Sequence, residues 1–167
     1  LDQIINVMLE YFDSAPIKTL CMAQSGDYIG GGGSKMATDQ YRRKAMGTFI
    51  TRVDDPIHFP GTMNDDTTAY TMNQAKGELM LTTGFIAVNT KPTQKNSGGN
   101  TDIYEAFGTY VKTFYSVMGH PSGVKVSVLF NTSARKGVGP KTNETFRIHH
   151  RVSWNNTAPK VIRVNVK

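Results

Sequence analysis

Short runs of alternating apolar and polar residues, separated by turn residues, constrain the fold of this 167-residue chain more than any other feature. The alternation is clearest in residues 48–53, 124–130, 145–154 and 161–166. Residues 77–90 predict one or two further strands, with a bulge or bend at Gly84. These strands outnumber the helices that parallel crossovers would need. The pattern therefore predicts an α+β fold, mainly antiparallel, barrel- or sandwich-like, with five to six strands.

One central helix is predicted among these strands. Thr101-Asp102 is typical of a helix start, and Gly119-His120-Pro121 is typical of a helix end. Apolar side chains recur between them at the spacing of one helical face, and these are Ile103, Phe107, Tyr110, Val111, Phe114, Val117 and Met118.

The run Gly30-Gly31-Gly32-Gly33-Ser34 divides the chain. Glycine and serine tracts behave as random coil, and this run has the composition of an engineered linker, although a natural glycine-rich loop is the alternative. The sequence therefore predicts three parts: an amphipathic helical arm over 1–29, a flexible linker over 30–34, and a basic β-rich domain over 35–167.

The predicted arm carries a short amphipathic helix that must end before Pro16. A helix of about 13 residues is marginal alone in water, so its apolar face needs a host surface, in cis or in trans. Residues 1–34 hold one Lys against four acidic residues, a net charge of −3, whereas the remainder carries +9, and such opposite charges favour docking. The predicted contact residues are Leu1, Ile4, Ile5, Met8, Leu9 and Phe12 on the arm and Phe107, Tyr110 and Phe114 on the central helix.

Basic residues in loops and on one strand favour binding of RNA or DNA as a second interpretation. Alternate residues of a strand share a face, so Arg147, His149 and Arg151 would form a basic stripe. A merely soluble basic exterior is the alternative. The predicted nucleic-acid contacts are Arg42, Arg43, Lys44, Lys91, Lys95, Arg135, Lys136, Lys141, Arg147 and Arg151.

The residues that could carry catalysis give weak signals. Adjacent strand residues point to opposite faces, so His149 and His150 are not expected to share a metal, and one ring should face solvent. The acidic pairs Asp54-Asp55 and Asp65-Asp66 are interpreted as solvated turn residues. With no nucleophile, metal or cofactor motif found, the sequence predicts no catalytic residue, no cofactor and no metal site.

The single cysteine, Cys21, excludes an intrachain disulfide and is expected to be buried, which favours a cytoplasmic or intracellular location, or a virion. Together these features predict a non-enzymatic assembly protein, resembling viral coat, matrix or packaging proteins and forming homo-oligomers. The alternatives are a nucleic-acid-binding module and, last, an enzyme or small-ligand binder that uses His58 and the carboxylate-rich turns.

Overall fold

A computed structural model of the protein describes residues 1–24, 44–89, 100–130 and 146–157. The described parts form five helices and five strands, and the predicted α+β class is confirmed. In chain order the elements are α1 (Asp2–Ser14), β1 (Thr19–Gln24), β2 (Phe49–Thr51), α2 (Asp65–Ala75), β3 (Met80–Val88), α3 (Thr101–Phe107), α4 (Tyr110–Gly119), β4 (Val124–Phe130), β5 (Phe146–Val152) and α5 (Trp154–Thr157).

The first three strands form one sheet in the order β2-β1-β3. Strand β2 runs antiparallel to β1, but β3 runs parallel to β1, with α2 in the connection between β2 and β3. The parallel pair is a departure from the predicted antiparallel arrangement. The register slips between Met22 and Ala23, whose partners are Thr83 and Ala87, so residues 84–86 bulge and the bulge predicted at Gly84 is confirmed.

The last two described strands form a separate antiparallel ribbon, paired from Val124 with Val152 to Phe130 with Phe146. Over the described ranges there are thus two small sheets and no closed barrel. The strand predicted at residues 161–166 lies outside these ranges, and none of the described helices is long and apolar enough to cross a membrane.

Helix α1 ends before Pro16 as predicted and packs on the three-stranded sheet. Its buried Met8 and Phe12 contact a cluster that includes Leu20 and Leu81 from β1 and β3. Strand β1 comes from the predicted helical arm but is the central strand of the sheet, and the sequence analysis predicted no strand there. Residues 30–34 lie outside the described residues, so the division into arm, linker and domain stays a prediction.

The predicted central helix is two helices. They are α3 and α4, and Gly108 separates them with φ 58° and ψ −142°. Residues that have a Cβ rarely adopt this backbone conformation, whereas glycine tolerates it. The break turns the apolar positions on either side into two shorter helical faces.

A second buried cluster joins the sheet to α2 through Cys21, Ala45, Tyr70 and Met80. The predicted burial of Cys21 is confirmed, since its side chain is fully buried and this burial raises its thiol pKa to about 12. Tyr70 also stacks on Trp154, with ring centroids 5.7 Å apart and planes inclined by 21°. Helix α2 therefore contacts the sheet and α5 through one aromatic side chain.

Helices α2 and α4 approach closely at Gly119, so we expect Gly119→Ala to destabilise the protein. A Cβ at this position would lie 2.7 Å from Thr68 Cγ2 and 3.1 Å from Met72 Sδ. Added atoms in a packed contact cost about 1–3 kcal/mol, measured as the free energy of unfolding in urea.

Thr68→Ser is the matched second change, because it removes the nearest methyl and keeps the hydroxyl. The double variant should recover most of the loss. An unchanged free energy of unfolding for Gly119→Ala alone would contradict the close approach of the two helices at this position.

Candidate functional site

A cluster of polar side chains lies where α2, α3, α4 and β5 meet, and we call it the polar cluster. Its members are half-buried, and all but one of them are titratable. They are Asn64, Asp66, Tyr104, Lys112, His149 and His150.

Asn64 connects three elements of this site. It precedes α2 in the left-handed conformation, with φ 56° and ψ 32°, which asparagine adopts more readily than most residues. Its Nδ2 donates to Ser116 Oγ on α4 and contacts His150 Nδ1 on β5 at 3.2 Å. Its main-chain carbonyl accepts from Thr68 Oγ1 at 2.9 Å, which fixes the start of the helix.

Asp66 lies in the first turn of α2, where the helix dipole favours a negative charge. Burial raises the pKa of its carboxyl above the ordinary 3.8, and the neighbouring charge of Asp65 adds to this rise. The Thr67 N–H, which donates to Oδ1 at 2.6 Å, and the cations Lys44 and Lys112 act in the opposite direction. Asp66 is therefore a carboxylate with more affinity for a proton than an exposed one.

Lys112 brings a cation to the same place. Its Nζ lies 5.5 Å from the centre of the Tyr104 ring, within cation–π distance. Burial lowers the pKa of Lys112, as do the charges of Arg147 and Lys44, whereas Asp66 raises it. Burial also raises the pKa of Tyr104, with a further contribution from Asp66.

The histidine pair differs from the sequence prediction, because both rings are half-buried and their centroids lie 4.3 Å apart. His149 Nδ1 donates to the main-chain carbonyl of His150 at 2.8 Å, which leaves Nε2 of a neutral His149 as an acceptor. Burial lowers the pKa of His150 to about 3, with further contributions from His149, Lys112 and Lys44. Burial also lowers the pKa of His149.

Shifted pKa values concentrate in this site. Of the six described groups with a clearly shifted pKa, five belong to the polar cluster and the sixth is the buried Cys21. Such concentrations mark functional sites, since desolvation and neighbouring charges tune acids and bases there. The described residues contain no group of three or more His, Cys, Asp or Glu side chains able to hold a metal ion. Chemically, the arrangement offers a proton acceptor next to cations.

The sequence pattern missed most of this site. Asp66 was interpreted as a solvated turn residue, which fits the exposed Asp65 but is wrong for Asp66. Tyr104 and Lys112 carried no motif that could have singled them out. The signal that could have located Asp66 is Asn64 followed by two acids, a composition typical of a helix start.

The residues predicted to bind a partner are divided between two places. Met8 and Phe12 are buried against the sheet, with Ile5 partly buried beside them, while Leu1, Ile4 and Leu9 are exposed. The predicted receiving residues Phe107, Tyr110 and Phe114 are exposed, and none of them belongs to the cluster that packs against this helix. The rings of Tyr110 and Phe114 are tilted by 55°, with centroids 4.9 Å apart. Their role in contacting a partner stays a prediction.

Three of the predicted nucleic-acid contacts lie within the described ranges. Lys44 and Arg147 add positive charge around Lys112, and Arg151 lies opposite Lys125 on the β4–β5 ribbon. The other predicted contacts lie beyond these ranges, namely Arg42, Arg43, Lys91, Lys95, Arg135, Lys136 and Lys141.

The carboxylates of the other predicted turn do not converge on a site. Asp54 pairs with Arg52 at 3.2 Å, and Asp55 pairs with Lys18. His58 is exposed, and its main-chain carbonyl accepts from Asn73 Nδ2 at 3.4 Å.

In comparisons with known proteins a family model matches the chain, whereas no curated protein and no solved structure does. The model of the family described as "TAGT: TET-Associated Glycosyltransferase" matches residues 1–99, which include α1, α2 and the three-stranded sheet. This match contradicts the predictions of a non-enzyme, a viral structural protein and an RNA-binding module. Because the match covers more than half of the 167 residues, the chain belongs to the TET-associated glycosyltransferase family.

Proposed function

We propose that this chain transfers a glycosyl group from an activated donor to an acceptor hydroxyl, with the polar cluster as its catalytic centre. The family match over residues 1–99 carries the proposal. Asp66 belongs to the matched part, and Lys112, His149 and His150 complete the cluster from beyond it. The concentration of shifted pKa values supports the choice of this site over the exposed carboxylates of the other turn.

Asp66 acts as the general base in this proposal. Its carboxylate accepts the proton of the acceptor hydroxyl while the acceptor oxygen forms a bond to the anomeric carbon of the donor. The bond from that carbon to the leaving-group oxygen breaks, and its electron pair departs with the leaving group. The products are protonated Asp66, a glycosylated acceptor and an anionic leaving group. Burial favours this role, because it increases the proton affinity of the carboxylate.

Cations around Asp66 support the second half of the step. Lys112 and Lys44 interact electrostatically with Asp66, and Arg147 adds its charge to that of Lys112. Negative charge develops on the leaving group as its bond breaks, and fixed cations in a partly desolvated site stabilise such charge.

The proposed activity can be tested by incubating the full chain with each of several nucleotide sugars and a panel of hydroxyl-bearing acceptors. Release of nucleoside diphosphate and mass spectrometry of the acceptor are measured in parallel. We expect one donor to give diphosphate release and a matching mass increase of the acceptor by one glycosyl unit. Neither transfer nor donor hydrolysis with any donor, from protein shown to be folded, would contradict the proposal.

A further inference from the structure

A groove that contains none of the polar-cluster residues lies beside the β4–β5 ribbon. It is an open groove with a volume of about 530 Å³. Lys125 and Arg151 line one part of it, and residues 152–156 line the rest. All of these residues lie beyond the part of the chain that the family model matches.

The groove places two like charges directly opposite each other. Lys125 and Arg151 are register partners on adjacent strands, and both are exposed. Like charges in directly opposite positions of a sheet are destabilising. Among the described residues, the ion pairs with acidic side chains are formed by Lys18 and Arg52. No described acidic side chain therefore pairs with Lys125 or Arg151. An anion bound between the two cations would remove this repulsion.

The other part of the groove is suited to an organic group. The Trp154 indole stacks on Tyr70, which holds the ring in place, and 36% of the residue remains exposed. Asn156 is fixed by a hydrogen bond from Nδ2 to the Ser122 carbonyl at 3.0 Å. Asn155 is exposed at the same rim. An indole beside amide groups provides an apolar surface together with hydrogen-bond partners.

We propose that this groove binds an organic phosphate, with the phosphate between Lys125 and Arg151 and the organic part against Trp154. A nucleotide and a sugar phosphate share this chemistry, and the size of the cavity falls in the range of small-molecule sites. The proposal goes beyond the transferase chemistry and does not depend on it.

Trp154 is the single tryptophan of the chain, so its fluorescence reports directly on this groove. The intact protein is titrated separately with uridine diphosphate, glucose 1-phosphate, inorganic phosphate and uridine, and calorimetry provides a second measurement if the indole emission stays unchanged. We expect at least one of the two organic phosphates to bind saturably, more tightly than inorganic phosphate and much more tightly than uridine. Binding of uridine diphosphate alone identifies a nucleotide, and binding of glucose 1-phosphate alone identifies a sugar phosphate.

Two substitutions test the role of the cations. Lys125→Gln and Arg151→Gln should each weaken binding by about tenfold or more, the usual cost of losing a charge-assisted contact. Arg52→Gln removes the same charge from an exposed residue elsewhere and should leave the affinity unchanged. Uridine binding as tightly as its diphosphate, equal effects of all three substitutions, or no binding of either organic phosphate by both methods would overturn the proposal. Transferase assays are not involved, so a failure here is separate from a failure of the proposed activity.

Discussion

Asp66→Asn should lower kcat for glycosyl transfer by about two to four orders of magnitude, because it removes the proposed proton acceptor and changes little else. Asparagine has nearly the same shape and keeps an oxygen that can accept from the Thr67 N–H. Donor binding should therefore persist, with KM changing much less than kcat. Initial rates measured across a range of donor concentrations separate the two constants.

The pH dependence of the wild-type rate provides a second test of Asp66. The base must be deprotonated to act, so kcat should fall as the pH falls through the Asp66 pKa. Burial raises this pKa above 3.8, so the fall should begin at a higher pH than for an exposed aspartate. The remaining activity of Asp66→Asn should lack this acid limb.

Asp65→Asn is the matched control, because it makes the same chemical change at the adjacent, exposed position. The negative charge of Asp65 raises the Asp66 pKa, so its removal should shift the acid limb to lower pH and leave the maximal kcat nearly unchanged. Equal losses of kcat in both variants would assign the effect to helix α2 as a whole and would contradict the role of Asp66.

The elements whose burial follows a simple period could be predicted from the sequence. Met8 and Phe12 lie on one helical face of α1, and β4 and β5 alternate as strands that pair in one ribbon. Strand β1 could not be predicted in this way. Five of its six residues are buried, so its sequence shows no alternation of apolar and polar residues. In a short, continuous apolar run the spacing of apolar residues has no periodicity, so it does not distinguish a strand from a buried helical segment.

Helix α2 was not predicted from the sequence for a different reason. Its buried face consists mainly of threonines and amides, so it has no apolar stripe at helical spacing. Two of these side chains donate to carbonyls one turn earlier in the helix: Thr71 Oγ1 to the Thr67 carbonyl at 2.7 Å, and Gln74 Nε2 to the Tyr70 carbonyl at 2.9 Å. Local hydrogen bonds thus allow polar residues to be buried at little cost, and no hydropathy pattern reveals this.

The polar cluster was beyond sequence reasoning because it depends on tertiary contacts. Its members come from four separate elements, and no pattern within any one segment shows that these elements meet. Asp66 differs from Asp65 only in burial, and His150 differs from an exposed strand histidine only in its neighbours Asn64 and Lys112. The alternation rule also placed one histidine ring in solvent, whereas α4 packs on β5 and both rings are half-buried.

Acidification should destabilise the protein through His150, by about 2 kcal/mol between roughly pH 7.5 and pH 5. The unfolded chain binds a proton at this residue near the ordinary pKa of 6.5, whereas the folded protein does so only at about 3. Between these two values the unfolded state binds more protons, so the free energy of unfolding falls as the pH falls. His149 contributes in the same direction, because its pKa is also lowered.

Asp66 contributes in the opposite direction. Its folded pKa is raised, so its contribution to stability is fully present below its ordinary pKa of 3.8 and is lost as the pH rises through the folded value. A comparison of variants at each pH separates these effects. His150→Asn keeps an acceptor for Asn64 Nδ2 and removes the titratable ring, so urea unfolding of this variant should show a slope against pH that is smaller by up to about 1.4 kcal/mol per pH unit.

His58→Asn is the control, since His58 is exposed and contacts none of the polar cluster. This variant should keep the wild-type dependence of stability on pH. If His150→Asn instead follows the wild-type curve from about pH 7.5 to about pH 5, His150 takes up its proton as readily when folded as when unfolded. The burial of the His150 ring beside Asn64 would then not hold in solution, and at acidic pH the polar cluster would carry a further cation in addition to Lys112.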